Sequence, residues 1–168
     1  MLEFKTPQIE DKAWVDQCFK HLKTMNCDYT FGNMFVWSTE YSTKICRFKD
    51  FFICSWGMGK ETNFGIPVGK GDFKEAVEEV IKYAKANDIM PRFYGVTEAY
   101  VEMLNENFPD AFQFLYDESY GDYIYEVEKM ASLKGKKYHG KRNHITNFKK
   151  NNPNWSFETI NKDNIDDC

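Results

Sequence analysis

The chain has 168 residues and a mass of 19.9 kDa, the length of one ordinary domain or a tight pair of small ones. It is 42% hydrophobic, with 15 Phe, 10 Tyr and 4 Trp, which excludes a disordered tail, and its mean hydropathy of -0.63 with no long apolar run excludes a membrane-spanning helix. The net charge of -4 hides an asymmetry: residues 1–128 hold 13 Lys+Arg against 22 Asp+Glu, residues 129–150 hold eight against none, and residues 151–168 hold one against four. A concentrated basic segment on an acidic body is where an anionic partner is sought.

The opening MLEFKTPQIEDK has no basic stretch followed by an apolar one, so no secretory signal is read and a cytoplasmic location is the default. Five cysteines (Cys18, Cys27, Cys46, Cys54, Cys168) with no C-x-x-C spacing predict reduced thiols rather than a disulfide frame or a zinc site.

In chain order, Trp14, Val15, Cys18, Phe19 and Leu22 share one face and predict an amphipathic opening helix, with His21 at its surface or boundary. The aromatic block Tyr29 to Tyr41 suits a short helix leading into a strand, with Phe31, Phe35 and Trp37 read as core residues. Lys44 to Phe48 and Phe51 to Trp56 predict an antiparallel hairpin turning at Lys49-Asp50, followed by a Gly-containing loop and a third strand from Phe64 to Val68. Asp72 with Glu75 three residues on is a capping pattern, and Phe73, Ala76, Val77, Val80, Ile81 and Ala84 form one apolar stripe of a helix. A strand from Arg92 to Val96 follows, then a helix capped by Thr97 and stopped by Pro109. Phe112, Phe114 and Tyr116 alternate, as do Tyr123, Tyr125 and Val127, so residues 111–128 predict two more strands around Asp117-Glu118-Ser119.

This order predicts an α+β (mixed α/β) domain with a central, mostly antiparallel sheet and helices on both faces, compatible with a GNAT-like acyltransferase fold. The phosphate-holding Gly turn of an acyl-CoA site is not found: Gly57-x-Gly59 leads into no helix, and Gly69-Lys70-Gly71 places Asp72 where phosphate would sit. No cofactor is therefore assigned to this chain, and no nucleophile elbow, P-loop or zinc motif is present in the sequence.

The basic segment reads KMASLKGKKYHGKRNHITNFKKNN, with Gly135 and Gly140 placing its first half in a loop and a helix beginning near Gly140 or Lys141. Ile145 and Phe148 mark the packing side of that helix, and Arg142 and Lys149 lie one turn to either side of Ile145. Cations crowded at a helix N-terminus oppose the macrodipole, and an anion compensates them; Lys136, Lys137, Lys141 and Arg142 thus form a candidate phosphate or carboxylate cradle, the alternative being a solvated basic linker. His139 and His144 are five apart, a poor spacing for two metal ligands on one helix, so they are candidate general bases or phosphate ligands, or simple caps. Around Asp122, Tyr123 is a candidate phenolic acid and, like Tyr125, a candidate cross-strand packing residue.

The stretches FGNMFVWSTEYSTKI, IPVGKGDFKEAVEEVI, GDYIYEVEKMASL and LKGKKYHGKRNHITNF resemble the small members of the DUF2156 family, which are similar to the C-terminal domain of phosphatidylglycerol lysyltransferase. The resemblance implies two tandem GNAT-like folds and a relation to aminoacyl-tRNA-dependent transferases. Since the sequence stops at Cys168 where family members continue through a second half, the expectation is an N-terminal GNAT-like domain over residues 1–128. Residues 129–168 are then a connecting element to a second domain. The intact protein would transfer an acyl or aminoacyl group, from acyl-CoA or aminoacyl-tRNA, to an amine or hydroxyl, and this half alone would be inactive. Lys136, Lys137, His139, Lys141, Arg142, Asn143 and His144 are the residues expected to hold donor phosphate or the 3′ end of tRNA. The rival expectation is a non-catalytic module binding tRNA or anionic lipid head groups through residues 134–150.

Overall fold

The run Phe51–Trp56 forms the central strand β2, and its two buried faces set the layers around it. Side chains alternate across a strand. Phe52 and Cys54 pack with Val15 and Cys18 of α1 (Lys12–Phe19) and with Phe31 of α2 (Phe31–Val36). On the other face, Phe51 clusters with Ala76 and Val77, and Ile53 with Val80 and Ala84, all from α3 (Phe73–Ala86). Helices therefore cover both faces. The computed structural model describes residues 2–118, 121 and 123–167. Ser119, Asp122 and Cys168, named above, lie outside the described residues.

Strand β1 (Lys44–Phe48) pairs antiparallel with β2 in the register Ile45↔Cys54 and Cys46↔Ile53, through a turn in which Lys49 adopts φ 51°. The expected third strand is divided into β3 (Asn63–Gly65) and β4 (Val68–Gly69), both antiparallel to β2 but at its opposite ends. Pro67 lies between them and has no N–H to donate to a ladder, which is why one continuous strand does not form. Gly69 is required by the close approach of these strands, since a Cβ there would stand 2.0 Å from the Asp50 carbonyl oxygen. Strand β5 (Phe93–Tyr94) adds parallel to β3, giving the order β1-β2-β3-β5 with β4 on β2. The sheet is mostly antiparallel, as expected, and the arrangement is consistent with a GNAT-like domain.

Asp72 caps α3 by accepting the Glu75 N–H at 2.9 Å, and α4 (Glu98–Asn107) follows Thr97, whose hydroxyl donates to the Lys23 carbonyl rather than capping the helix. Helix α1 ends at Phe19, one turn short of the predicted end, and His21 is exposed just beyond it. In the aromatic block, Phe31 is core as predicted, but Phe35 is partly exposed and Trp37 is half exposed, pairing with Tyr41.

The two strands predicted over 111–128 are absent among the described residues. Phe112 turns onto Phe108 and Phe93, with ring centroids 5.6 and 6.0 Å away, while Leu115, Tyr116, Tyr123 and Ile124 are exposed. Val127 begins a helix instead, α5 (Val127–Ser132). Alternation makes a strand only where a neighbouring strand accepts its backbone groups, and the described residues supply none there. Tyr123 and Tyr125 are accordingly not cross-strand packing residues.

The chain divides into two units, Met1–Ser119 and Tyr120–Cys168. The first contains the sheet and the three hydrophobic clusters. The second contains α5, a 3-10 turn at Lys136–Tyr138 and helix α6 (His139–Asn151).

Candidate functional site

Helix α6 begins at His139, close to the predicted start, and the 3-10 turn before it brings Lys136 and Lys137 to the helix entrance. The turn is reached through two left-handed residues, Leu133 with φ 48° at the end of α5 and Gly135 with φ 96°. Glycine adopts such angles freely, whereas leucine does so only when its surroundings hold it there. Arg142, half-buried on the first turn of α6, supplies that hold: its Nη1 donates to the Leu133 carbonyl and, at 2.9 Å, to the Gly135 carbonyl. The Gly135 carbonyl also accepts the Tyr138 N–H at 3.3 Å, closing the 3-10 turn.

Lys136, Lys137 and Lys141 are exposed, and none of them forms a salt bridge among the described residues. Each of the latter two faces an aromatic ring, Lys137 over Tyr138 at 5.9 Å and Lys141 over Tyr125 at 6.0 Å, and further along α6 Lys149 lies 5.0 Å over Trp155. Trp155 in turn meets Phe148 edge-on at 6.2 Å. These cation–aromatic pairs were not legible as a pattern in the sequence, because Tyr125 and Trp155 lie outside the helix. The predicted packing side of α6 is not buried: Ile145 and Phe148 are 44% and 52% exposed.

The remaining candidates divide. The Asn143 amide nitrogen lies 3.2 Å from His139 Nε2, one turn away on α6. His144 is exposed on α6, and Tyr123 is exposed in the irregular stretch before α5. In the first unit, a shallow depression of about 400 Å³ between α1 and α2, floored by Phe19, Tyr29 and Phe31, includes none of the predicted site residues. Among the described residues, no group of three or more His, Cys, Asp or Glu is arranged to hold a metal, and no helix is long and apolar enough to cross a membrane.

A two-faced, mostly antiparallel sheet consistent with a GNAT-like domain, followed by a basic helix with exposed lysines at its entrance, is the class of protein these elements define. The chain belongs to the family described as "Phosphatidylglycerol lysyltransferase, C-terminal", which it matches over residues 19–168, and is thus a transferase-related domain. Among solved structures it is similar to a conserved protein of unknown function from Bacteroides thetaiotaomicron VPI-5482, at 31% identity and a TM-score of 0.80. The match covers 100% of this chain and 57% of that one, so the chain spans a little over half the length of this relative. No curated protein matches.

Proposed function

We propose that this chain is the N-terminal half of an acyl- or aminoacyl-transferring protein related to phosphatidylglycerol lysyltransferase, and that its basic segment meets the phosphates of the donor. In this reading residues 1–128 are the GNAT-like domain, and residues 129–168 connect it to a second one. The observation that carries the reading is the set of exposed, acid-free cations Lys136, Lys137 and Lys141 around the start of a 13-residue helix, in a protein whose other segments are acidic. Acyl transfer to an amine or hydroxyl relies on placing the donor carbonyl and polarising it more than on a protein nucleophile. The donor fitting this surface is an aminoacyl-tRNA, whose 3′ end offers phosphates to the lysines and bases to the exposed aromatics. An acyl-CoA donor offers phosphates too but no run of bases. His139, beside Asn143, and the exposed His144 are the candidate bases for the acceptor. The isolated chain binds the donor without turnover, and a cytoplasmic location accompanies this assignment.

The alternative, a non-catalytic module for tRNA or anionic lipid head groups, is favoured by the exposure of Ile145, Phe148 and Trp155 beside Lys141 and Lys149. Titration of the chain with aminoacylated and uncharged tRNA across salt concentrations separates the two. Log affinity falls with log salt by about 0.7 to 0.9 per phosphate neutralised, and the Lys136→Met/Lys141→Met double variant lowers that slope by about 1.5. A donor site prefers the aminoacylated form; equal affinity for both supports the binding module, and an unchanged slope in the double variant refutes the cradle.

A further inference from the structure

We propose that Arg142 is a positioning residue rather than a ligand for the anion: its guanidinium clasps the Leu133 and Gly135 carbonyls and so holds the 133–138 turn that presents Lys136 and Lys137 at the entrance of α6. The inference deepens the anion-binding reading and rests on it for the role of the lysines, but not for the clasp itself. Three observations carry it. Arg142 is half-buried, whereas Lys136, Lys137 and Lys141 are exposed. A single nitrogen, Nη1, donates to both carbonyls, so its two hydrogens are committed within the protein. The two carbonyls belong to the two left-handed residues of the turn, Leu133 and Gly135, and one of these is not glycine.

The chain leaves α5 through Leu133, whose N–H still donates to the Lys129 carbonyl at 2.9 Å, and must reverse within a few residues to enter α6. Carbonyls in such a reversal point away from any helical partner. The guanidinium donates to two of them from one nitrogen, and a lysine ammonium, one bond shorter on a flexible stem, does not reach both in the same geometry. Two of the five N–H donors of Arg142 are thus tied to backbone oxygens, and the exposed cations at the helix entrance are the lysines.

Hydrogen exchange of the full chain tests the clasp directly. In Arg142→Met the hydrogen-bonded amides of Leu133, Tyr138 and His139 exchange about tenfold faster than in the unsubstituted chain, and Arg142→Lys, which keeps the charge and a good helix former, recovers less than half of that protection. Exchange unchanged in both variants overturns the clasp, as does full recovery by lysine. If Arg142→Met loses α6 altogether, Arg142→Lys alone decides by the same criterion.

Binding of inorganic pyrophosphate then tests whether Arg142 acts through the lysines. Arg142→Met weakens binding about fivefold in the unsubstituted chain but less than twofold when Lys136 and Lys137 are already Met. Equal losses in both backgrounds mean that Arg142 touches the anion itself and refute the positioning role. If the unsubstituted chain takes up no pyrophosphate, the anion-binding reading fails, and the clasp stands or falls on the exchange result.

Discussion

Asp11 shows how three separate partners converge on one side chain. It is almost fully buried just before α1, where its carboxylate takes the Lys5 ammonium at 2.7 Å, the Trp14 indole N–H at 2.9 Å and the Gln8 backbone N–H at 2.9 Å. Burial alone would raise its pKa, but these three partners outweigh burial and hold the carboxyl below its usual value. A native pKa below the unfolded value of about 3.9 means that the carboxylate stabilises the fold fully above that pH and stops doing so as pH falls through the native pKa. Asp11→Asn is therefore expected to lower unfolding free energy by about 1 to 3 kcal/mol at neutral pH. Urea denaturation repeated near pH 3 should show the two proteins drawing together; a gap that persists or widens there refutes the assignment. An acid ahead of the opening helix was readable from the sequence, while its burial was not, because Lys5 and Trp14 reach it only once the first strand bridge and α1 are in place.

At the scale of elements, α3 was the most legible because every signal agreed: the cap at Asp72, the apolar stripe and the facing residues of β2. Asp72→Ala removes an acceptor for the Glu75 N–H and is expected to cost about 1 kcal/mol in chemical denaturation, with an unchanged m-value. Loss of less than about 0.3 kcal/mol would show that the cap contributes nothing beyond what water offers. The hairpin β1-β2 was legible for a related reason, since a strand buried on both faces reads as a continuous apolar run. Residues 111–128 were misread because alternation records a preference for a pleated surface without naming the partner that would satisfy it, and Leu115 interrupts the alternation with an apolar residue that is 86% exposed. The basic segment was found because its residues are contiguous; the division of labour within it was not, because the clasp by Arg142 depends on the left-handed turn at Leu133, which no residue preference announces.

At the scale of the whole molecule, the two units differ in what sustains them. Residues 1–119 contain the three clusters and carry 13 Lys+Arg against 19 Asp+Glu, so they hold the core and a field that repels anions. Residues 120–168 hold α5 and α6, and α6 has no buried residue. Stability and anion binding should therefore separate on cutting the chain. A fragment of residues 1–119 is expected to keep one cooperative thermal transition within about 5 °C of the full chain, because the apolar surface it buries is retained. The same fragment should lose the salt-dependent binding of tRNA entirely, since no cation cluster remains to release counterions. Retained binding in the fragment would place the anion site in the first unit and remove the basis for the cradle. Loss of the transition would mean that the sheet depends on the C-terminal unit, and that the three clusters are insufficient to hold it.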